Sequence, residues 1–480
     1  MTFLSASFAI LLVLAFLAYQ FLPNRARVPG LLLASVIFYA SLSAPRLLVA
    51  LAVSTLVGFL AALAMARAAS PAGRWRWLWA GITTNLLVLF LVREQSHWLA
   101  LLTTVWPSAW GKPPAVPSAV VATGVSFFVF QSVSYLVDVF LGTTPPTRRL
   151  GHFLLYMAFF PRVLQGPVER AGEFLPQISQ PRAFSYEQAR TGLLLILWGA
   201  LKKGVVGDNL APFVKTVFGA PQCANGLDLL LGVYAFYLQL YFDFSGYSDI
   251  AVGTARLFGI ELTQNFRNPL SATSMPEFWR RWHISFSRWI LDYLFRPLSL
   301  WWRAWGKAGT AAALFVAFQL SSLWHGLAAT FLVWGGIHGI AMGLSLVTGP
   351  WRKRLVRRWP FLGGRGAGFA GWLVTFHVTC LAWIFFHARS LSLAWSYCVG
   401  LGSLLLEGIP LFWARRPSYL VGLTLVFVLL VEGFWRHAPR GRAFFAWPRP
   451  VRWACYYALI TLYWLGSSSV KQQGFIYFQF

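Results

Sequence analysis

At 480 residues the chain is long enough for several soluble domains, yet only 11% of its residues are charged and 58% are hydrophobic, with a mean hydropathy of +0.60. That balance excludes a soluble multidomain protein and makes a polytopic membrane protein the expected class. The net charge of +26 comes from 40 Lys and Arg against 14 Asp and Glu; in a membrane chain it belongs first to cytoplasmic loops facing anionic lipid, and no nucleic-acid partner is expected.

In chain order the apolar runs predict spans over 3–22, 29–44, 46–66, 76–93, 118–141, 151–165, 228–256, 309–323, 328–347, 367–386, 418–435 and 452–467. The first, Thr2 to Leu22, has no basic leader and no small-residue cleavage site, so it reads as a retained helix and not a signal peptide. Segments 98–110, 191–206 and 391–406 are short or interrupted and read as re-entrant or interfacial pieces. The class expected is all-α, with about 11–12 transmembrane helices. Arg25 and Arg27, then Arg67, Arg74 and Arg76, the run WRKRLVRRW (351–359) and Arg436 to Arg452 mark cytoplasmic loops. Alternate counting from them puts the N-terminus and the C-terminal tail outside. No internal repeat is evident, which argues against an inverted-repeat transporter. The four cysteines, Cys223, Cys380, Cys398 and Cys455, have no paired spacing.

One segment does not read as a span. In PEFWRRWHISFSRWILDYLF (276–295), Phe278, Trp279, Trp282, Phe286, Trp289, Ile290 and Tyr293 share one helical face, and Arg281, Ser285, Arg288 and Asp292 another. The pattern predicts a single amphipathic helix in or near the membrane interface, with His283 at its edge one turn before Ser287.

Polar residues inside apolar spans are expensive and mark candidate sites. YFDFSGYSDIA (241–251) places Asp243, Ser245, Tyr247 and Asp249 around a glycine. LSSLWHGLAATFLVWGGIHG (320–339) carries His325 and His338. Lys202 and Lys203 flank an apolar face in LLILWGALKKGVVGDN (194–209), and AFFPRVLQGPVER (158–170) breaks a span with Pro161, Gly166 and Pro167. Each has a structural alternative. His325 could cap a helix end, His338 reads mainly as packing, Asp243 could bond backbone freed by glycine, and the lysines could snorkel to the headgroups as readily as bind an anion. The histidines are not at metal-ligand spacing, so no metal is expected. There is no phosphate-binding or dinucleotide glycine loop and no nucleophile elbow. An enzyme built from these parts rests on a histidine with polar neighbours.

Six blocks in order, SFFVFQSVSYLVDVF (126–140), YMAFFPRVLQGPVER (156–170), ALKKGVVGDNLA (200–211), YFDFSGYSDIAVG (241–253), NFRNPLSATSMPEFWRRWHISFSRWILDYLFRPL (265–298) and LWHG (323–326), resemble the membrane-bound O-acyltransferase family. The likeness is to its bacterial branch, which holds the alginate O-acetyltransferase membrane subunit and the D-alanyl transfer protein of teichoic acids. The resemblance implies a ring of helices around a catalytic funnel in the bacterial cytoplasmic (inner) membrane, with a core at 116–347, flanking helices at 1–115 and 348–467 and a tail at 468–480. His325 matches the family's catalytic histidine, and His283 a second histidine lining the same funnel. Asp243, Ser245, Trp282, Ser287, Trp324, Lys202 and Lys203 are candidate lining residues. The resemblance also implies acetyl-CoA as a co-substrate and no permanently bound cofactor. A polysaccharide is the implied final acceptor, with an extracytoplasmic SGNH-type acetyltransferase as partner. The alternatives are D-alanyl or other acyl transfer from a carrier protein, and a non-enzymatic transporter. SLWWRAWGKAG (299–309) departs from the Gly-Gly-Asn-Arg-like turn common in relatives, which touches acceptor or partner details.

The chain closes on GFIYFQF, Gly474 to Phe480, after SSSVKQQ. It resembles an aromatic tail motif of bacterial relatives or their small companion proteins. A terminus so rich in rings is expected to dock, through Phe475, Phe478 and Phe480, and to present Tyr477 as a covalent acyl relay on a polar tether. The alternative is a docked aromatic plug.

Overall fold

The computed structural model describes residues 1–42, 45–94, 124–162, 166–180, 183–403 and 442–467. The segments 98–110 and 418–435, and the tail with Tyr477, lie outside the described residues. Among the described residues every element is a helix, as the backbone requires where water cannot satisfy its polar groups. Five helices are long and apolar enough to cross a membrane, at Leu47–Arg67, Pro71–Arg93, Gly226–Leu257, Ala329–Arg358 and Arg365–His387. Shorter apolar helices lie at Ala6–Phe21, Val125–Leu141 and Leu391–Gly402. The chain is an all-α, multi-pass membrane protein.

The chain divides into two compact units, Met1–Ile196 with Tyr247–Thr263, and Leu197–Gly246 with Gln264–Phe480. In the first, α1 (Ala6–Phe21), α2 (Asn24–Ala40), α3 (Pro45–Arg67), α4 (Pro71–Arg93) and α5 (Val125–Leu141) come in chain order. Ser70 starts α4 as an N-cap, its hydroxyl accepting the Gly73 N–H at 3.1 Å ahead of Pro71 in the first turn. The break foreseen around Pro161 is real: α6 (Leu150–Ala158) stops, and the Phe160 N–H released there donates to the Ser35 hydroxyl at 3.2 Å. Arg162 beyond it is buried, with its guanidinium over the rings of Tyr156 and Phe174. Just before α7 (Ala171–Ser179), the Glu169 carboxylate accepts from both the N–H and the hydroxyl of Thr263. Irregular backbone here is thus satisfied by side chains of the same unit.

The second unit is built on the first part of α10 (Gly226–Leu257) and on a hairpin, α14 (Gly306–His325) and α15 (Ala329–Arg358). Gly335 allows that hairpin to close: a Cβ there would stand 2.8 Å from Ser322 Cβ and 2.9 Å from the Phe318 carbonyl. Small residues at helix contacts are the membrane solution to close packing. α16 (Arg365–His387) packs on α15, and α17 (Leu391–Gly402) follows. α8 (Tyr186–Leu201) runs into a π turn at Lys202–Gly207 and then α9 (Asp208–Gly219). Gly246 of α10 brings the turn close, since a Cβ there would lie 2.7 Å from the Gly199 carbonyl and 3.0 Å from Lys203 N. α18 (Arg449–Ser467) lies against the same turn.

The segment expected to be one interfacial helix is not continuous. It forms α11 (Met275–Arg281), a break at Trp282 and His283, α12 (Ile284–Ile290), a π turn at Leu291–Phe295 and α13 (Arg296–Trp301). Phe278, Trp282, Phe286 and Trp289, the face read as membrane-interfacial, are buried in the second unit.

Candidate active site

The break in 276–295 is what places the first candidate histidine. His283 has φ +42°, and Asn268 has φ +49°; among the described residues these are the two non-glycine positions in the left-handed region. Such a conformation persists where the surroundings over-determine it. Asn265 does so from one side: its carbonyl accepts the Ile284 N–H at 2.8 Å and its side-chain oxygen accepts the Ser285 hydroxyl at 2.6 Å. From the other, the Arg281 carbonyl accepts the Arg267 N–H, while the Arg281 guanidinium donates to the Asn268 carbonyl, the Ser271 hydroxyl and the Glu277 carboxylate. Ser274 caps α11 by accepting the Glu277 N–H, and the Glu277 carboxylate accepts the Thr273 N–H, so the start of the helix is fixed. Ser287 donates to the Trp282 carbonyl at 3.0 Å, so its hydroxyl closes the turn.

The resulting position is deep. His283 is 3% exposed, edge to face with Phe244 at 4.7 Å and stacked on Phe286 at 5.0 Å. His325, the last residue of α14, is only half-buried. Four rings enclose it: Trp324 at 4.4 Å, Phe386 at 4.9 Å, Trp334 at 5.1 Å and Phe331 at 6.2 Å between centroids. The two histidines are joined by an unbroken run of rings, because Phe286 stacks on His283 and lies 4.4 Å from Trp324, which in turn touches His325. Trp282 enters the same core through Trp383, at 5.4 Å.

This arrangement fits proton transfer at His325. The imidazole can be reached, and a proton taken there sits against π systems, the apolar surface that attracts a cation. His283, sealed among rings, is suited to shaping the site.

Asp243, Lys202 and Lys203 meet a different fate. The Lys203 ammonium contacts Asp208 Oδ1 at 2.6 Å and Asp243 Oδ1 at 2.5 Å, and all three side chains are 3% exposed or less. On a regular α-helix Lys203 and Asp208 would point about 140° apart; the π turn brings them round to meet. Lys203 therefore neither snorkels nor offers a cation to an anionic ligand. Lys202 is buried, its ammonium 5.8 Å from the Trp198 ring and 5.9 Å from that of Tyr241. Ser245 is wholly buried, and its hydroxyl has no hydrogen-bond partner among the described residues.

The sequence did not mark Asp208, Asn265, Trp334 or Phe386 as site residues, and it placed Phe286 only on an interfacial face. Asp208 was findable, since it closes the KKGVVGD stretch five residues after Lys203. Phe386 was not, because only the fold brings α16 to the end of α14.

Comparison with known proteins decides the family. The model of the membrane-bound O-acyltransferase family matches residues 35–386, a stretch that contains both histidines and every wall of the His325 cage. The chain belongs to the membrane-bound O-acyltransferase family. This acyltransferase is 33% identical over 404 residues to a probable alginate O-acetylase of Azotobacter vinelandii, covering 82% of this chain and 77% of the relative. It is 30% identical over 414 residues to a peptidoglycan O-acetyltransferase of Helicobacter pylori, covering 80% and 76%. A teichoic acid D-alanyltransferase of Bacillus subtilis is 27% identical over 299 residues, covering 60% and 74%. The protein is an O-acyltransferase of the membrane-bound family.

Proposed function

We propose that this acyltransferase takes an acetyl group from cytosolic acetyl-CoA and delivers it to hydroxyls of an extracytoplasmic polysaccharide, with His325 as general base. The observation that carries the reading is the reachable imidazole of His325 inside an aromatic cage, at the end of the ring path from His283. A neutral imidazole, with an ordinary pKa of about 6.5, is the side chain best matched to removing a hydroxyl proton near neutral pH. In the step, one His325 nitrogen takes the proton as the hydroxyl oxygen attacks the thioester carbonyl carbon. The C–S bond breaks, and the imidazolium returns its proton to the departing thiolate. Surrounding rings keep water from competing for the thioester. His283, Trp282, Trp324, Ser245 and Ser287 shape the site, and Asp243 acts through its contact with Lys203.

In this reading the first attacking hydroxyl is the phenol of Tyr477 on the C-terminal tail. The aryl acetate then passes its acetyl to a partner transferase of the SGNH type and so to the glycan. The protein lies in the bacterial inner membrane with the tail outside. Relatives named for alginate and peptidoglycan O-acetylation support a polysaccharide acceptor. The D-alanyltransferase relative supports a second reading, D-alanyl transfer from a carrier protein.

Membranes given radiolabelled acetyl-CoA, together with ester analysis of the exopolysaccharide with and without the gene, test the reading. Acetyl on the Tyr477 peptide and on glycan is the expected result. Tyr477→Phe keeps the ring and loses only the hydroxyl, so full glycan acetylation in that variant removes the relay. Label incorporated only from a carrier-bound D-alanyl thioester favours the second reading.

A further inference from the structure

Behind the His325 cage lies a third imidazole. His338, on α15, is fully buried, and neither of its ring nitrogens has a hydrogen-bond partner among the described residues. The indole N–H groups of Trp279, Trp334 and Trp383 are likewise buried with no acceptor among the described residues. All four side chains are in contact: His338 lies 5.0 Å from Trp279, 5.0 Å from Trp334 and 6.3 Å from Trp383 between centroids. Phe278 and Phe318 stack over its faces. A ring that served only to fill this chamber would cost less as phenylalanine, because desolvated nitrogens left unmatched carry a penalty.

The inventory of the cluster points to one pairing. Three indoles and a neutral imidazole supply four N–H donors and one acceptor, the unprotonated nitrogen of His338. Trp334 stands one helical turn before His338 on the same helix, and its other side is the wall 5.1 Å from His325. We propose that His338 is a positioning residue for the general base: one shared water donates to its unprotonated nitrogen and accepts the Trp334 indole N–H, and so fixes the indole that orients His325. One water between two such groups is enthalpically close to a direct bond. The positioning role rests on the assignment of His325 as base; the hydrogen bond itself does not.

His338→Phe separates the two jobs a buried imidazole can have. It keeps the ring and the stacking but removes both nitrogens, whereas His338→Asn and His338→Gln keep an acceptor and sacrifice the ring. Measured on the full-length protein in nanodiscs with acetyl-CoA, His338→Phe is expected to lower kcat about tenfold or more, with KM changed less than about twofold. Its unfolding midpoint should fall, and Asn or Gln should recover part of both. Trp334→Phe should reproduce the loss, Trp279→Phe should not, and the His338→Phe, Trp334→Phe double variant should be no worse than either single one. Wild-type kcat with an equal or higher midpoint in His338→Phe overturns the proposal, as do additive effects in the double variant. If His338→Phe does not fold, Trp334→Phe and His338→Gln carry the same comparison. Should wild type release no CoA from acetyl-CoA, the donor assignment fails, while the order of unfolding midpoints still decides the hydrogen bond.

Discussion

Two buried polar clusters in the second unit are handled in opposite ways. Around Lys203, charge answers charge: one ammonium sits between two carboxylates, and a π turn exists to bring Asp208 into range. Around His338 there is almost no charge, only rings, and its two nitrogens have no hydrogen-bond partner among the described residues. A cluster that satisfies itself spends its polarity on holding helices together. One that leaves donors and acceptors over has them available for chemistry. Both clusters lie in the same unit, so the contrast is one of chemistry.

The comparison can be broken most directly at His325. His325→Ala should reduce acyl transfer by a factor of about 10² to 10⁴ while the protein still inserts and unfolds at an unchanged temperature. Near-normal transfer by well-expressed His325→Ala would remove the general base. Lys203→Met is the converse case. It leaves two buried carboxylates facing each other, and breaking such a pair costs about 3–5 kcal/mol. Loss of folded protein is the expected outcome, seen as low yield and an early unfolding transition. A stable Lys203→Met variant with impaired catalysis would move the ion cluster from scaffold to site.

His283→Ala should fall between the two. It removes the imidazole yet leaves a left-handed backbone without a favoured residue, so both activity and stability decline, activity by about tenfold. Complete loss equal to that of His325→Ala, at low and saturating donor alike, would make His283 an equal partner in proton transfer. Ser245→Ala sharpens the contrast at the low end. Its hydroxyl is buried with no partner among the described residues, so stability should change by less than about 0.5 kcal/mol. A fall in transfer of a few fold would place that hydroxyl beside a substrate, and no change in either readout would remove it from the site.

What the sequence made legible follows from how local each feature is. Membrane class and helical architecture depend on composition, and they read directly. The run 276–295 obeys a helical period, yet it breaks at His283 because Asn265, 18 positions earlier, holds the turn through bonds that no periodicity encodes. Lys203 was open between lipid and ligand because the choice depends on Asp243, which α10 delivers from elsewhere in the chain. His338 read as packing, since a lone histidine in a glycine-rich stretch gives no hint of three indoles converging on it. The aromatic tail with Tyr477 stands on sequence alone.

The spacing within the ion cluster also bears on biogenesis. Lys203 leaves the ribosome only five residues ahead of Asp208, so the two can partition into the bilayer as a neutral pair when their segment is handed over. Asp243 follows about 40 residues later and must find Lys203 already in place. Insertion of α10 is therefore coupled to the correct arrival of the segment before it. A fault in that earlier segment would surface as a late helix stranded outside the membrane.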